Sequence, residues 1–314
     1  MGKSFRTVDE LIKILSDRKV KTNQDTAKAI ERESYYAIVN GYKKPFLDLE
    51  AMKTSSDDVY QPGVEFQWMY DLFQFDRDLR FTTFKYLTRA EAVMRTAVAY
   101  SFCHHHPDQN AYLDRANFCE AREYLVSRSF RGNKEALHSE NLNKLMKMLN
   151  DKLAVSSRSR DFIKHYMRKY GTIPLWVLAN DLTFGNIVHF YQLMKPIDRR
   201  EACTIIAKVT GRKPKQDGHL TERMLLRSAN VLNDFRNLCA HDERLYCAKF
   251  GNDDFSVMTA QMFNLLPEKE VDEFISEISD LFVAYEGRLH GVTPTSLLAE
   301  MGFPIEGPES ANTN

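Results

Sequence analysis

The sequence has no uninterrupted apolar run of about 18 residues, the least that a membrane-crossing helix needs. Its opening "MGKSFRTVDELIKIL" also lacks the apolar core and small-residue cleavage site of a secretion signal. A soluble, cytoplasmic protein without a membrane partner is expected. Cysteine is sparse: Cys103, Cys119, Cys203, Cys239 and Cys247 contain no C-x-x-C pair and no zinc-ligand spacing, so buried thiols are expected rather than disulfides or a structural metal. Strand-like alternation between hairpin turns is scarce, "DDFSVMTA" being the one stretch suited to a short strand, and no repeat recurs at a fixed period. No cofactor is expected.

Net charge is also absent, but the zero hides an asymmetry. The segment Gly251–Asn314 holds twelve acidic and two basic residues, leaving 41 basic and 31 acidic in residues 1–250. A basic body with an acidic tail suits a polyanionic partner, and equally a tail that only aids solubility. At 314 residues and 43% hydrophobic, the chain can bury one large core or two modest ones.

What is present is helical periodicity. Thr7 with Glu10 forms a capping-box pattern ahead of Leu11, Ile12, Ile14 and Leu15. A second helix is expected over Asp25–Val39, closing at Gly41, then a loop over Thr54–Gly63 and one long helix or two abutting ones over Val64–Phe102. Further helices are predicted at Ala116–Arg128, Lys134–Val155, Ser159–Lys169, Pro174–Met194, Pro196–Val209, Thr221–Cys247 and Glu268–Leu289, with "GPESANTN" as a disordered end. The fold class is all-α.

Within "NVLNDFRNLCAHDERLY", about 100° per residue puts Val231, Leu232, Phe235, Leu238, Cys239 and Leu245 on an apolar stripe. Asn233, Arg236, Asn237, Ala240, His241 and Arg244 form the opposite face. Arg followed by His after a short gap recurs at Arg131/His138, Arg160/His165 and Arg212/His219, so spacing alone selects nothing. The first and third fall in expected loops, and Arg160 has Asp161 beside it as an internal neutraliser. Only Arg236 and His241 share a polar helix face with Asn237.

"FRNLCAHDERLY" resembles the R-N-x-x-x-H signature of HEPN-domain proteins, specifically the bacterial abortive-infection Abi family, the AbiD/AbiF group. Three further blocks agree in order: "SYYAIVNGYKKPF", "YDLFQFDRDLRFTTFKYLTRAEAVMRTAVA" and "YGTIPLWVLANDLTFGNIVHFY". The resemblance implies a HEPN-type helical bundle with additional N-terminal helices, phage defence or toxin-like activity, and metal-independent RNA cleavage. The domains expected are 1–250, holding the motif, and 251–314, an acidic C-terminal extension.

Elementary chemistry suggests the roles. RNA carries its own nucleophile, the 2′-OH, and needs a base, an acid for the leaving 5′-oxygen, and positive charge on the phosphate. Histidine serves either proton role, so His241 is assigned there, and the planar fork of Arg236 suits the phosphate. Asn237 is placed to bond the imidazole or a phosphate oxygen, and Arg244 to hold a flanking phosphate. One chain supplies one such histidine, which points to a homodimer with two motifs across one cleft. The expected partners are RNA as substrate, a second copy, and a silencer, either protein or a structured non-coding RNA.

Lys164 and Arg168 in "KHYMRK", and Arg212, Lys213 and Lys215 in "RKPK", are candidates for tracking an RNA backbone, with a solvated face as the equal alternative. His104, His105 and His106 are read as a helix-ending loop rather than a metal site. Tyr35, Tyr36 and Tyr42 are read as packing between the first helices before base stacking, "FDRDLR" as an ion-pair lattice on the long helix, and Trp176 as a core anchor. Two alternatives to a nuclease stay open: a non-catalytic HEPN-type RNA-binding module, and a toxin modified at Tyr246.

Overall fold

The computed structural model describes residues 4–126, 130–154 and 159–305. In chain order the α-helices are α1 (Val8–Asp17), α2 (Thr26–Glu33), α3 (Phe66–His105), α4 (Lys134–Leu153), α5 (Asp161–Tyr170), α6 (Leu175–Leu178) and α7 (Phe184–Leu193). They continue with α8 (Pro196–Val209), α9 (Pro214–Asp217), α10 (Glu222–Ala240), α11 (Phe255–Met262), α12 (Glu268–Ala284) and α13 (Pro294–Glu300). The fold is all-α: among the described residues no strand forms, and the extended segments make only isolated bridges such as Lys21 with Glu65. "DDFSVMTA" opens α11 instead of a strand, because Phe255 and Met258, one helical turn apart, are both buried. No helix among these residues is long and apolar enough to cross a membrane.

Several boundaries follow from local chemistry. Thr7 caps α1 as its sequence implies, accepting from the Glu10 amide at 3.3 Å while Glu10 accepts from the Thr7 amide at 2.7 Å. The helix expected over Asp25–Val39 stops at Glu33, because Ser34 takes a left-handed φ of 68° before a π-turn at Tyr36–Asn40. The Pro174–Met194 stretch is interrupted at Leu182, after which Thr183 and Asn186 cap α7 as a box of their own. In place of a helix at Ala116–Arg128 the chain makes short 3₁₀ turns at Arg115–Asn117 and Ala121–Glu123. Residues 127–129, and the "GPESANTN" end, lie outside the described residues.

The chain divides into two compact units, both discontinuous in sequence. The first comprises Met1–Thr83, Leu238–Ser256 and Ile275–Asn314. The second comprises Phe84–Asn237 and Val257–Phe274, so the stretch after residue 250 contributes to both. In the first unit Phe75 packs against Phe282 at 5.0 Å and Tyr285 at 5.5 Å. Polar ties reinforce this contact: the Tyr285 hydroxyl donates to Asp78 at 2.7 Å and Arg288 pairs with Asp71 at 3.0 Å.

In the second unit Phe102, Phe118 and Phe190 form a triangle with centroids 5.0 to 5.5 Å apart. Beside this core lies Arg199, 2% exposed, whose guanidinium donates to the carbonyls of Met194 at 2.6 Å, Gln192 at 3.3 Å and Glu123 at 3.0 Å, and to Glu222 at 2.6 Å. A buried guanidinium is tolerable here because every face of it meets an acceptor, two of them carbonyls at the end of α7 that no further helical turn can satisfy.

Candidate active site

The apolar stripe of α10 behaves as its periodicity requires. Val231, Leu232, Phe235 and Leu238 are buried, whereas Asn237 and Ala240 are exposed. The helix ends at Ala240, seven residues before Cys247. Its stop is a left-handed Asp242, φ 57°, followed by the Glu243 amide reaching back to the Leu238 carbonyl at 3.2 Å. That is a Schellman closure with aspartate where glycine is usual. His241 is therefore the C-cap residue, exposed, rather than a member of a continuing helix face. Leu245 and Tyr246 remain buried, but on non-helical backbone.

The turn that presents His241 is anchored from beneath. Asp76 is fully buried and accepts from the Tyr246 amide at 2.8 Å, the Leu245 amide at 3.1 Å, the Tyr42 hydroxyl at 2.7 Å and Arg80 at 2.6 Å. The other arm of Arg80 holds Asp242. Burial raises the Asp76 carboxyl above the ordinary carboxylate range, by more than Arg80 and the surrounding donors lower it. Burial and the neighbouring Asp76 raise the Tyr42 hydroxyl, which stays a neutral donor. Burial likewise pushes the Cys239 thiol up to about 12, leaving it inert. "FDRDLR" is thus more than a lattice along one helix: Asp76 and Arg80 clamp the segment after α10, and Arg77 forks onto Glu33 at 2.9 and 2.6 Å.

Beside this turn, within the first unit, opens a cleft of about 490 Å³ lined by Tyr36, Asn40, Phe73, Asp242, Arg244 and Lys249, among others. Tyr36 is 76% exposed, whereas Tyr42 is buried against Phe73 and Tyr246. The packing expected of these tyrosines therefore holds for Tyr42 and not for Tyr36. Arg244 donates to the Gly41 carbonyl at 2.8 Å and keeps an exposed side chain on the cleft. Tyr246 is 3% exposed, so a modifying enzyme has no access to it in this conformation.

The boundary between the units falls between Asn237 and Leu238, so Arg236 and Asn237 belong to the second unit, His241 and Arg244 to the first. Arg236 is half-buried and held by a residue that spacing did not reveal. Its Nε donates to Glu91 at 3.0 Å, and the other oxygen of Glu91 takes Arg95 at 2.7 Å. One carboxylate between two guanidiniums leaves the trio with a net positive charge, and no hydrogen bond from either terminal nitrogen of Arg236 occurs among the described residues. The signal for Glu91 was its place one helical turn before Arg95 in "RAEAVMR".

The other Arg and His pairs are otherwise employed. Arg160 pairs with Asp181 at 2.7 Å rather than with Asp161, and His165 is exposed. His138 packs on Tyr124 at 5.6 Å. Arg212, expected to track RNA, donates to the carbonyls of Asp217 and Gly218 and to Asn264, which makes it a loop brace. Lys213, Lys215 and Arg168 are exposed, and Lys164 stands 3.8 Å from Asp161. Arg212→Ala is accordingly expected to cost about 1–3 kcal/mol of stability in urea unfolding. Lys213→Ala should instead leave stability within about 0.5 kcal/mol. If it contacts RNA, it should flatten the salt dependence of RNA binding by about one counterion. Trp176 is 49% exposed, because α6 turns Leu175, Val177 and Leu178 inward and the tryptophan out.

The family model of Abi-like proteins matches residues 28–247, well over half of the sequence. The chain belongs to the Abi-like family. The matched span runs from within α2 through α10 and the turn carrying His241, and stops one residue after Tyr246. No curated protein and no solved structure is found to match this Abi-like chain.

Proposed function

We propose that this Abi-like protein is a metal-independent endoribonuclease of HEPN type, acting toxin-like in abortive infection and held silent by a protein or RNA partner. The observation that carries the reading is His241: exposed, without a side-chain hydrogen bond among the described residues, and next in sequence to Asp242, which the Asp76–Arg80 clamp holds and which, unlike His241 itself, lines the open cleft. A residue kept in reserve for proton transfer needs that combination of free ring and rigid backbone. RNA supplies the 2′-OH nucleophile, His241 moves a proton, and Arg236 offers its terminal nitrogens to the phosphate. Two chains related by a two-fold axis would provide both an acid and a base, which is why a homodimer belongs to this mechanism.

The test is RNA cleavage by purified, uninhibited protein in EDTA, with the product ends identified. Cleavage that persists and leaves 2′,3′-cyclic phosphates is expected. Activity that vanishes on chelation and returns with Mg²⁺ would overturn the mechanism. A dimer carrying one wild-type chain and one Arg236→Ala, His241→Ala chain, isolated by two tags, should retain far less than half the wild-type rate. A retained half would mean independent sites. RNA binding with no cleavage under any condition favours the non-catalytic RNA-binding module instead.

A further inference from the structure

The histidines that end α3 do not form a loop: His104 and His105 occupy the last helical turn and His106 follows directly. Across from them, still within the second unit, the first two turns of α8 present Asp198 and Glu201. The ligand atoms offered by His104, His105 and Glu201 lie within 4.8 Å of one another. His104 Nδ1 is 2.7 Å from one Glu201 oxygen and His105 Nδ1 is 3.2 Å from the other. Ligands about 2.0–2.1 Å from a tetrahedral zinc ion stand roughly 3.3 Å apart, so a small outward adjustment, in which His105 Nδ1 gives up a proton and its 3.2 Å contact with the Ser101 carbonyl, converts these contacts into a coordination shell.

A second observation comes from the buried carboxylates. Asp198 is fully buried, yet its Oδ1 has no hydrogen-bond partner, although it lies 3.0 Å from His105 Nδ1. The Oε2 of Glu201 is buried too and makes no hydrogen bond, its nearest cationic group being His105 Nδ1 at 3.2 Å. Orphaned carboxylate oxygens are costly unless a cation compensates them. The second Asp198 oxygen takes His106 Nε2 at 3.2 Å, which fixes the carboxylate against the imidazole of His105. Asp198 Oδ1 faces the nitrogen that His105 would offer an ion, so the carboxylate places negative charge beside the cluster.

We propose that His104, His105 and Glu201 bind a divalent transition-metal ion of the zinc class, with the buried Asp198 carboxylate, held by His106, adding negative charge beside His105. Two imidazoles and a carboxylate suit such an ion better than Mg²⁺ or Ca²⁺, which favour oxygen shells. The ion clips the end of α3 to the start of α8, a structural task that shares no residue with the proposed RNA-cleaving motif. His104 is 71% exposed, so the ion has a path in from solvent.

The experiment is titration of the chelator-stripped full-length protein with Zn²⁺ against a chromophoric competitor, with Co²⁺ absorption as a second readout. Wild-type protein should bind one equivalent. His104→Ala, at an exposed position that should not disturb folding, and the isosteric Glu201→Gln should each weaken binding by about 10²-fold or more, with circular dichroism unchanged. Wild-type binding no tighter than that of the double variant, or one-equivalent binding that neither substitution alters, would overturn the site and leave the cluster as ion pairs only. Because the readout is metal occupancy, failure here is distinct from failure of the ribonuclease reading. A chelation loss restored by Zn²⁺ but not Mg²⁺ would belong to this clip.

Discussion

Alanine at His241 is expected to lower RNA cleavage by about 10²-fold or more while leaving thermal unfolding within a few tenths of a kcal/mol of wild type. The rate estimate is that of removing a proton-transfer group from an active site. The stability estimate follows from exposure: His241 has no side-chain hydrogen bond among the described residues, and its backbone role as the C-cap of α10 survives the substitution. Alanine at His165 or His219, both exposed, or at His138, which leans on Tyr124, should change cleavage far less. The measurement is single-turnover cleavage of a labelled RNA by each variant at equal folded concentration. A His241→Ala protein that cuts at the wild-type rate, or an equal loss at His165, would move the site.

Asp76→Ala should be the most destabilising substitution in the first unit. It deletes one member of a buried ion pair, for which about 3–5 kcal/mol is typical, and orphans the Leu245 and Tyr246 amides besides. Against a total of about 5–15 kcal/mol, that brings the protein near unfolding. Asp76→Asn, which keeps an acceptor but loses the charge facing Arg80, should fall between. Urea unfolding of the three proteins checks the order, and a loss under about 1 kcal/mol in Asp76→Ala would show that the hub is not what holds the turn. Under conditions where Asp76→Asn is still folded, it should also cut RNA more slowly, since His241 would ride on a looser segment.

Helix content and the buried stripe of α10 were legible because both are local and periodic. Val231, Leu232, Phe235 and Leu238 had only one side on which to be buried. The end of α10 was not legible, because the apolar pattern continues through Leu245 and Tyr246 while an aspartate, rather than glycine, supplies the left-handed turn. Glu91 escaped notice for a different reason: 145 residues separate it from Arg236, and only the fold joins them. The same holds for the histidines ending α3. Three in a row cannot converge on an ion from their own helix, and the missing ligand, Glu201, comes from 97 residues further on. Candidate motif residues stand out by type and by a shared helix face, whereas the groups that hold them are contributed by distant elements with ordinary-looking sequences.

The closure of the first unit by late-arriving residues has a bearing on synthesis. Phe282, Tyr285 and Arg288 pack on or bond to Phe75, Asp78 and Asp71 of the early part of α3. A ribosome that has made the whole of the proposed RNA-cleaving motif has therefore not yet delivered the partners that complete the unit in which His241 sits. For a protein with the proposed activity on RNA, the order of translation would then act as a safeguard: a chain released before Phe282 carries every proposed catalytic side chain but not the packing that completes the unit of His241.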